Sequence, residues 1–146
     1  MEKTIITKSE DETKAQGELI GRDLLPGSII ILVGDLGSGK TTFTKGLAKG
    51  IGVKKRIISP TFTIIRMYEI KNNQKTIKNL YHIDLYRLES SDETQNLGLE
   101  EIIGNKENVV VVEWPEKIQH LLPKNRIEIY LNTISGTERK IRIKTL

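Results

Sequence analysis

Residues 34–41, Gly-Asp-Leu-Gly-Ser-Gly-Lys-Thr, constrain this chain more than any other stretch. Two glycines with four residues between them, followed by lysine and a hydroxyl residue, make the phosphate-loop pattern. Its setting fits. Ile29-Ile30-Ile31-Leu32-Val33 reads as a buried strand entering the loop, and residues 42–49 read as a helix leaving it. The glycines let backbone N–H groups turn inward with no Cβ in the way, and the helix adds its positive end. The pattern assigns Gly34, Asp35, Leu36, Gly37, Ser38, Gly39, Lys40, Thr41 and Thr42 to a nucleoside-phosphate site. Lys40 is expected to reach the terminal phosphates, and the Thr41 hydroxyl to bind Mg²⁺. The competing reading is a glycine-rich turn of an ordinary globular protein, which the flanking strand and helix disfavour.

At 146 residues the chain predicts one domain, 1–146, with little length left for a lid or a separate substrate domain. A partner that completes the function is therefore expected. The formal charge of +4 permits contact with nucleic acid without requiring it. Without cysteine there are no disulfides or thiolate zinc sites. No apolar run approaches the eighteen or so residues of a membrane span, and the start lacks the apolar core of a signal peptide. The expectation is a cytoplasmic protein with no membrane partner.

Along the chain, residues 4–7 suggest a short edge strand. Ser9 with Glu12 three residues on is a capping-box signature, opening a helix with Ala15, Leu19, Ile20 and Leu24 on one side. Pro26-Gly27 ends it. Phe43, Leu47 and Ala48 line the inner side of the helix after the loop, which stops near Gly50 and Gly52. Ile57-Ile58 suggests a strand ending at Ser59-Pro60-Thr61. Residues 62–70 and 76–83 read as two strands across the polar turn 71–75, and so short a link makes them antiparallel. A helix is predicted over 92–103, with Gly98 as its weak point. Four consecutive valines, 109–112, predict a parallel strand covered on both faces. A short helix at 118–122 and a closing hairpin follow, the hairpin carrying Ile141 and Ile143 on one face and Lys140, Arg142 and Lys144 on the other. The pattern is α/β: a mixed, mainly parallel sheet with antiparallel hairpins and flanking helices, as in phosphate-loop nucleoside triphosphate hydrolases.

Hydrolysis needs an acid beside the loop, for Mg²⁺ or for the attacking water. Two acids sit at predicted strand ends, where α/β sheets carry their sites. Glu113, after the valines, is the candidate magnesium-side carboxylate. Asp84, after Leu80-Tyr81-His82-Ile83, is the candidate for positioning water or supporting the metal. Each has a plainer reading as a strand-end acid. Thr61 is a candidate for placing a hydroxyl near the terminal phosphate, against ordinary turn chemistry in Ser-Pro-Thr. His82 shares a strand face with Asp84, which suits a supporting role. Trp114 is the sole tryptophan, read equally as site wall, core or partner anchor. Arg66, Arg87 and Arg139 are candidates for phosphate charge, read first as ordinary surface or structural arginines. A GTPase is set aside: there is no Asp-x-x-Gly switch, and the nearest imitation of Asn-Lys-x-Asp, residues 105–108, ends in asparagine and precedes its strand.

The loop extended through Thr42-Phe43, then Ser59-Pro60-Thr61-Phe62-Thr63, His82-Ile83-Asp84-Leu85-Tyr86-Arg87-Leu88 and Glu113-Trp114-Pro115-Glu116 stand in the order seen in the bacterial TsaE family, also called YjeE. The resemblance spans nearly the whole chain, including Thr13 and Gly17. The familiar small residue before the loop's last glycine is often alanine; here it is Ser38. The resemblance implies an ATPase that helps a TsaD–TsaB assembly make N6-threonylcarbamoyladenosine in tRNA, the transfer itself belonging to TsaD. It further implies ATP on the loop, Lys40 on phosphate, Thr41 and Glu113 on Mg²⁺, Asp84 needed for activity, and hydrolysis that resets the assembly. A small-molecule kinase is the first alternative, although no lid-sized insertion is visible. A nucleotide-gated adaptor without turnover is the second.

Overall fold

The computed structural model describes residues 1–60, 63–71, 75–89 and 97–146. The elements are β1 (Glu2–Thr7), α1 (Glu10–Asp23), β2 (Ile29–Val33), α2 (Lys40–Ile51), β3 (Ile65–Glu69), β4 (Asn79–Asp84), α3 (Leu99–Gly104), β5 (Asn108–Glu113), a 3₁₀ helix (Pro115–Leu121), β6 (Ile127–Ser135) and β7 (Glu138–Thr145). They build one seven-stranded sheet in the order β1-β7-β6-β2-β5-β4-β3. Strands β6, β2, β5 and β4 are mutually parallel. β7 runs against β6, β1 against β7 and β3 against β4. Five of the seven strands therefore share one direction, and the sheet is the mixed, mainly parallel one of a phosphate-loop α/β fold.

Alternation within the central strands supplies two cores. Ile30, Leu32, Val109 and Val111 face α1 and α2 and pack with Phe43 and Leu47. Ile29, Ile31, Val110 and Val112 face the other way, with Leu99 and Ile118. Every residue of β5 is buried, as expected for a strand covered on both sides. Among the described residues, no helix is long and apolar enough to cross a membrane.

The buried side of α1 matches the expected one only in part: Leu24 is buried in the core and Ile20 packs against it. Thr13, Gly17 and Gly21 are buried, whereas Leu19 is 52% exposed and Ala15 faces solvent. The reason is backbone contact. A methyl on Gly17 would overlap the Phe43 carbonyl oxygen, one on Gly46 the Lys14 oxygen, and Gly21 and Gly50 repeat the arrangement one turn on. Four interior glycines forgo roughly 1 kcal/mol of helix propensity each relative to alanine, and close approach of two helix backbones offsets that. Ser9 does cap α1, accepting from Glu12 N–H at 3.1 Å; the Glu12 carboxylate answers to Lys8 N–H at 3.3 Å.

Three other expectations change. Ile57 and Ile58 form no strand; the Tyr68 hydroxyl takes the place of a strand neighbour, accepting from Ile58 N–H at 3.0 Å and donating to Ile58 O at 3.3 Å. Gly98 adopts φ 71°, a left-handed turn that no helix passes through, so the described helix begins at Leu99; residues 92–96 lie outside the described ones. The segment predicted at 76–83 becomes strand only from Asn79. The antiparallel β3–β4 and β6–β7 pairings are as expected.

Candidate functional site

β2 delivers the chain to Gly34 at the carboxyl end of the parallel strands, and there the loop turns back into α2. Gly34 has no room for a side chain: a Cβ would overlap the Ser38 hydroxyl and press to 2.6 Å from the Leu131 carbonyl oxygen. Gly37 and Gly39 take φ of 78° and 100°, open to glycine without strain. Ser38 N–H donates to Asp35 O at 3.1 Å, closing the loop on itself. Gly39 caps α2 without any side-chain bond, and the first turn of α2 carries no acid. α1 starts with Glu10, Asp11 and Glu12. The positive end of α2 is thus left for a ligand.

Around that helix start three charged side chains converge, each at most 6% exposed: Lys40, Asp84 and Glu113. Asp84 and Glu113 are register neighbours at the ends of β4 and β5. The Lys40 ammonium donates to Gly34 O at 2.6 Å, lies 3.7 Å from Glu113 Oε1, and sits 4.7 Å from the centre of the Trp114 ring. The other Glu113 oxygen is 2.6 Å from His82 Nε2. Among the described residues the buried His82 Nδ1 has no hydrogen-bond partner. Asp84 Oδ1 accepts from Tyr86 N–H at 3.0 Å. β5 ends abruptly because Trp114 takes φ 58°, unusual for so large a residue, and its ring meets Tyr86 at 5.0 Å between centres.

These groups border a cleft of about 260 Å³ whose walls include Leu36, Gly37, Gly39, Lys40, Thr41, Thr42, Asp84 and Glu113. Of the other loop residues assigned from sequence, Gly34 and Asp35 line a second groove of about 180 Å³ beside Trp114 and Tyr130, while Ser38 is buried beneath the loop. In that groove burial, then the Glu128 carboxylate at 2.8 Å, raises the Tyr130 hydroxyl above its ordinary value. Thr61 lies outside the described residues; Ser59, two positions earlier, reaches the cleft. Glu10, Thr13, Thr137 and Arg139 form the far wall and were not assigned from sequence as site residues. They come from α1, the β6–β7 turn and β7, brought together by the pairing of β1 with β7 at the sheet edge, and no short motif encodes that closure. The Thr7 and Thr13 hydroxyls, 2.7 Å apart, pin this wall to β1.

The residues lining the cleft suit a phosphate-bearing ligand that carries its own metal. Among the described residues no three His, Cys, Asp or Glu side chains group into a metal cage. Mg²⁺ normally needs only one or two carboxylates, with phosphates and water completing its shell. Thr41, Glu113 and Asp84 on one cleft, beside a buried ammonium, match that requirement.

The model of the family described as "Threonylcarbamoyl adenosine biosynthesis protein TsaE" matches residues 7–141. The tRNA threonylcarbamoyladenosine biosynthesis protein TsaE of Bacillus subtilis is 42% identical over 135 residues, covering 92% of this chain and 80% of the relative. Its namesake in Treponema pallidum is 36% identical over 138 residues, covering 94% and 97%. The crystal structure of Bacillus subtilis YdiB superposes with a TM-score of 0.75 at 36% identity, covering 99% of this chain and 86% of that one. With sequence, fold and loop in agreement over nearly its full length, this chain belongs to the TsaE family.

Proposed function

We propose that the cleft binds ATP with Mg²⁺ and hydrolyses it, and that hydrolysis resets a TsaD–TsaB assembly between rounds of N6-threonylcarbamoyladenosine formation in tRNA. As a TsaE protein, the chain is the ATPase component that acts with TsaD and TsaB in this modification. One observation carries the site assignment: Lys40, Asp84 and Glu113, from three separate segments, converge buried at the uncapped start of α2. Lys40 holds the terminal phosphates as a point charge, exchanging its bond to Gly34 O for bonds to phosphate. Thr41 and Glu113 would hold Mg²⁺, which when bound would supply positive charge against the negative charge developing on phosphate. His82 fixes the Glu113 carboxylate. Asp84 orients the attacking water, and Thr61, outside the described residues, keeps its candidate role toward the terminal phosphate from sequence alone. tRNA is reached through the assembly, in the cytoplasm.

The test measures ADP and phosphate release by the purified chain, alone and with TsaD–TsaB. Slow release alone and faster release with the partners is the expected result. Equal rates in both would remove the partner-driven reading, and phosphate appearing only on a small acceptor molecule would make the protein a kinase.

A further inference from the structure

We infer that Arg139 is a positioning residue that clamps the phosphate loop in its binding shape before nucleotide arrives. The inference rests on the nucleotide reading of the cleft, but concerns a residue of β7 about a hundred positions away from the loop it touches. Arg139 Nε donates to Ser38 O at 2.9 Å and Nη2 to Gly37 O at 3.1 Å. Nη1 donates to Gly136 O at 2.6 Å and Glu138 O at 3.1 Å. One planar fork thus joins the loop to the β6–β7 turn, using four of the five donors a guanidinium owns.

The geometry around it makes this a brace and not a chance contact. Arg139 is paired in the sheet on both sides, to Thr7 of β1 and Thr133 of β6, so its backbone is fixed. The loop it grips has glycines at 37 and 39 in left-handed conformations, where the chain has most freedom to lose. In a trans peptide C=O and N–H point in opposite directions. Holding the Ser38 carbonyl therefore sets the direction of the N–H of Gly39, a residue that lines the cleft. Lys40 cannot serve as the brace throughout a cycle, since its bond to Gly34 O is the one given up to phosphate. The Arg139 bonds go to loop carbonyls, which a phosphate does not displace. Without the clamp, only the fraction of molecules with a correctly folded loop binds, and apparent affinity falls by that fraction.

Arg139→Met keeps the stem and removes the donors; Arg139→Lys keeps the charge but cannot span the carbonyls. Two measurements decide: amide hydrogen exchange at residues 37–40 in nucleotide-free protein, and the steady-state split between KM for ATP and kcat. In both variants exchange should quicken and KM rise about tenfold, with kcat within about twofold and the unfolding temperature close to wild type. Unchanged loop exchange in both variants overturns the clamp. A raised KM with unchanged exchange also overturns it, because Arg139 would then act by touching the ligand. If wild-type protein binds no ATP, the nucleotide reading falls, while the exchange comparison still decides the clamp.

Discussion

At the scale of residues, the proposed function divides the site into a group that holds phosphate and two acids that act on metal and water. Lys40 interacts with Gly34, Glu113 and Trp114 at once, so Lys40→Ala removes a charge-assisted phosphate contact and lowers both ATP affinity and turnover. Asp84 and Glu113 close neighbouring strands and stand outside the loop. Asp84→Ala and Glu113→Ala should keep measurable ATP affinity and lose roughly tenfold to a thousandfold in hydrolysis, the range for a group acting in the transition state. The Mg²⁺ requirement should rise more in Glu113→Ala. Isothermal titration and single-turnover hydrolysis over a Mg²⁺ series separate the cases, with circular dichroism confirming the fold. Wild-type rates in both acid variants would make these side chains structural.

At the scale of elements, what was legible in the sequence was whatever a local pattern encodes. The strand–loop–helix at 29–49, the buried valine strand and both hairpins follow from run length, turn residues and glycine spacing. The far wall of the cleft did not, because Glu10, Thr13, Thr137 and Arg139 meet through pairing of the chain's two ends. α1 misled for a different reason. Apolar periodicity chose Leu19 for the core, but α1 and α2 touch through glycines and a near-absence of side chain. That contact carries its own prediction. Gly46→Ala gains helix propensity in isolation, yet its methyl would strike the Lys14 carbonyl of α1. The substitution should destabilise by about 1–3 kcal/mol, read as a lowered urea midpoint. A neutral or stabilising result would show that the two helices are free to separate.

At the scale of the whole molecule, the sheet brings the loop from Gly34 to Lys40, Asp84 and Glu113 together at the carboxyl ends of parallel strands. The proposed ATPase cycle is one that a partner assembly completes. The central claim is that hydrolysis resets TsaD–TsaB, and the direct measurement counts threonylcarbamoyl groups formed per assembly over time, at saturating tRNA and donor, with this chain, with Lys40→Ala, and without either. The account predicts about one group per assembly without the chain or with Lys40→Ala, and many with the wild-type chain and ATP. Modification that continues through many cycles at the same rate in its absence would contradict it.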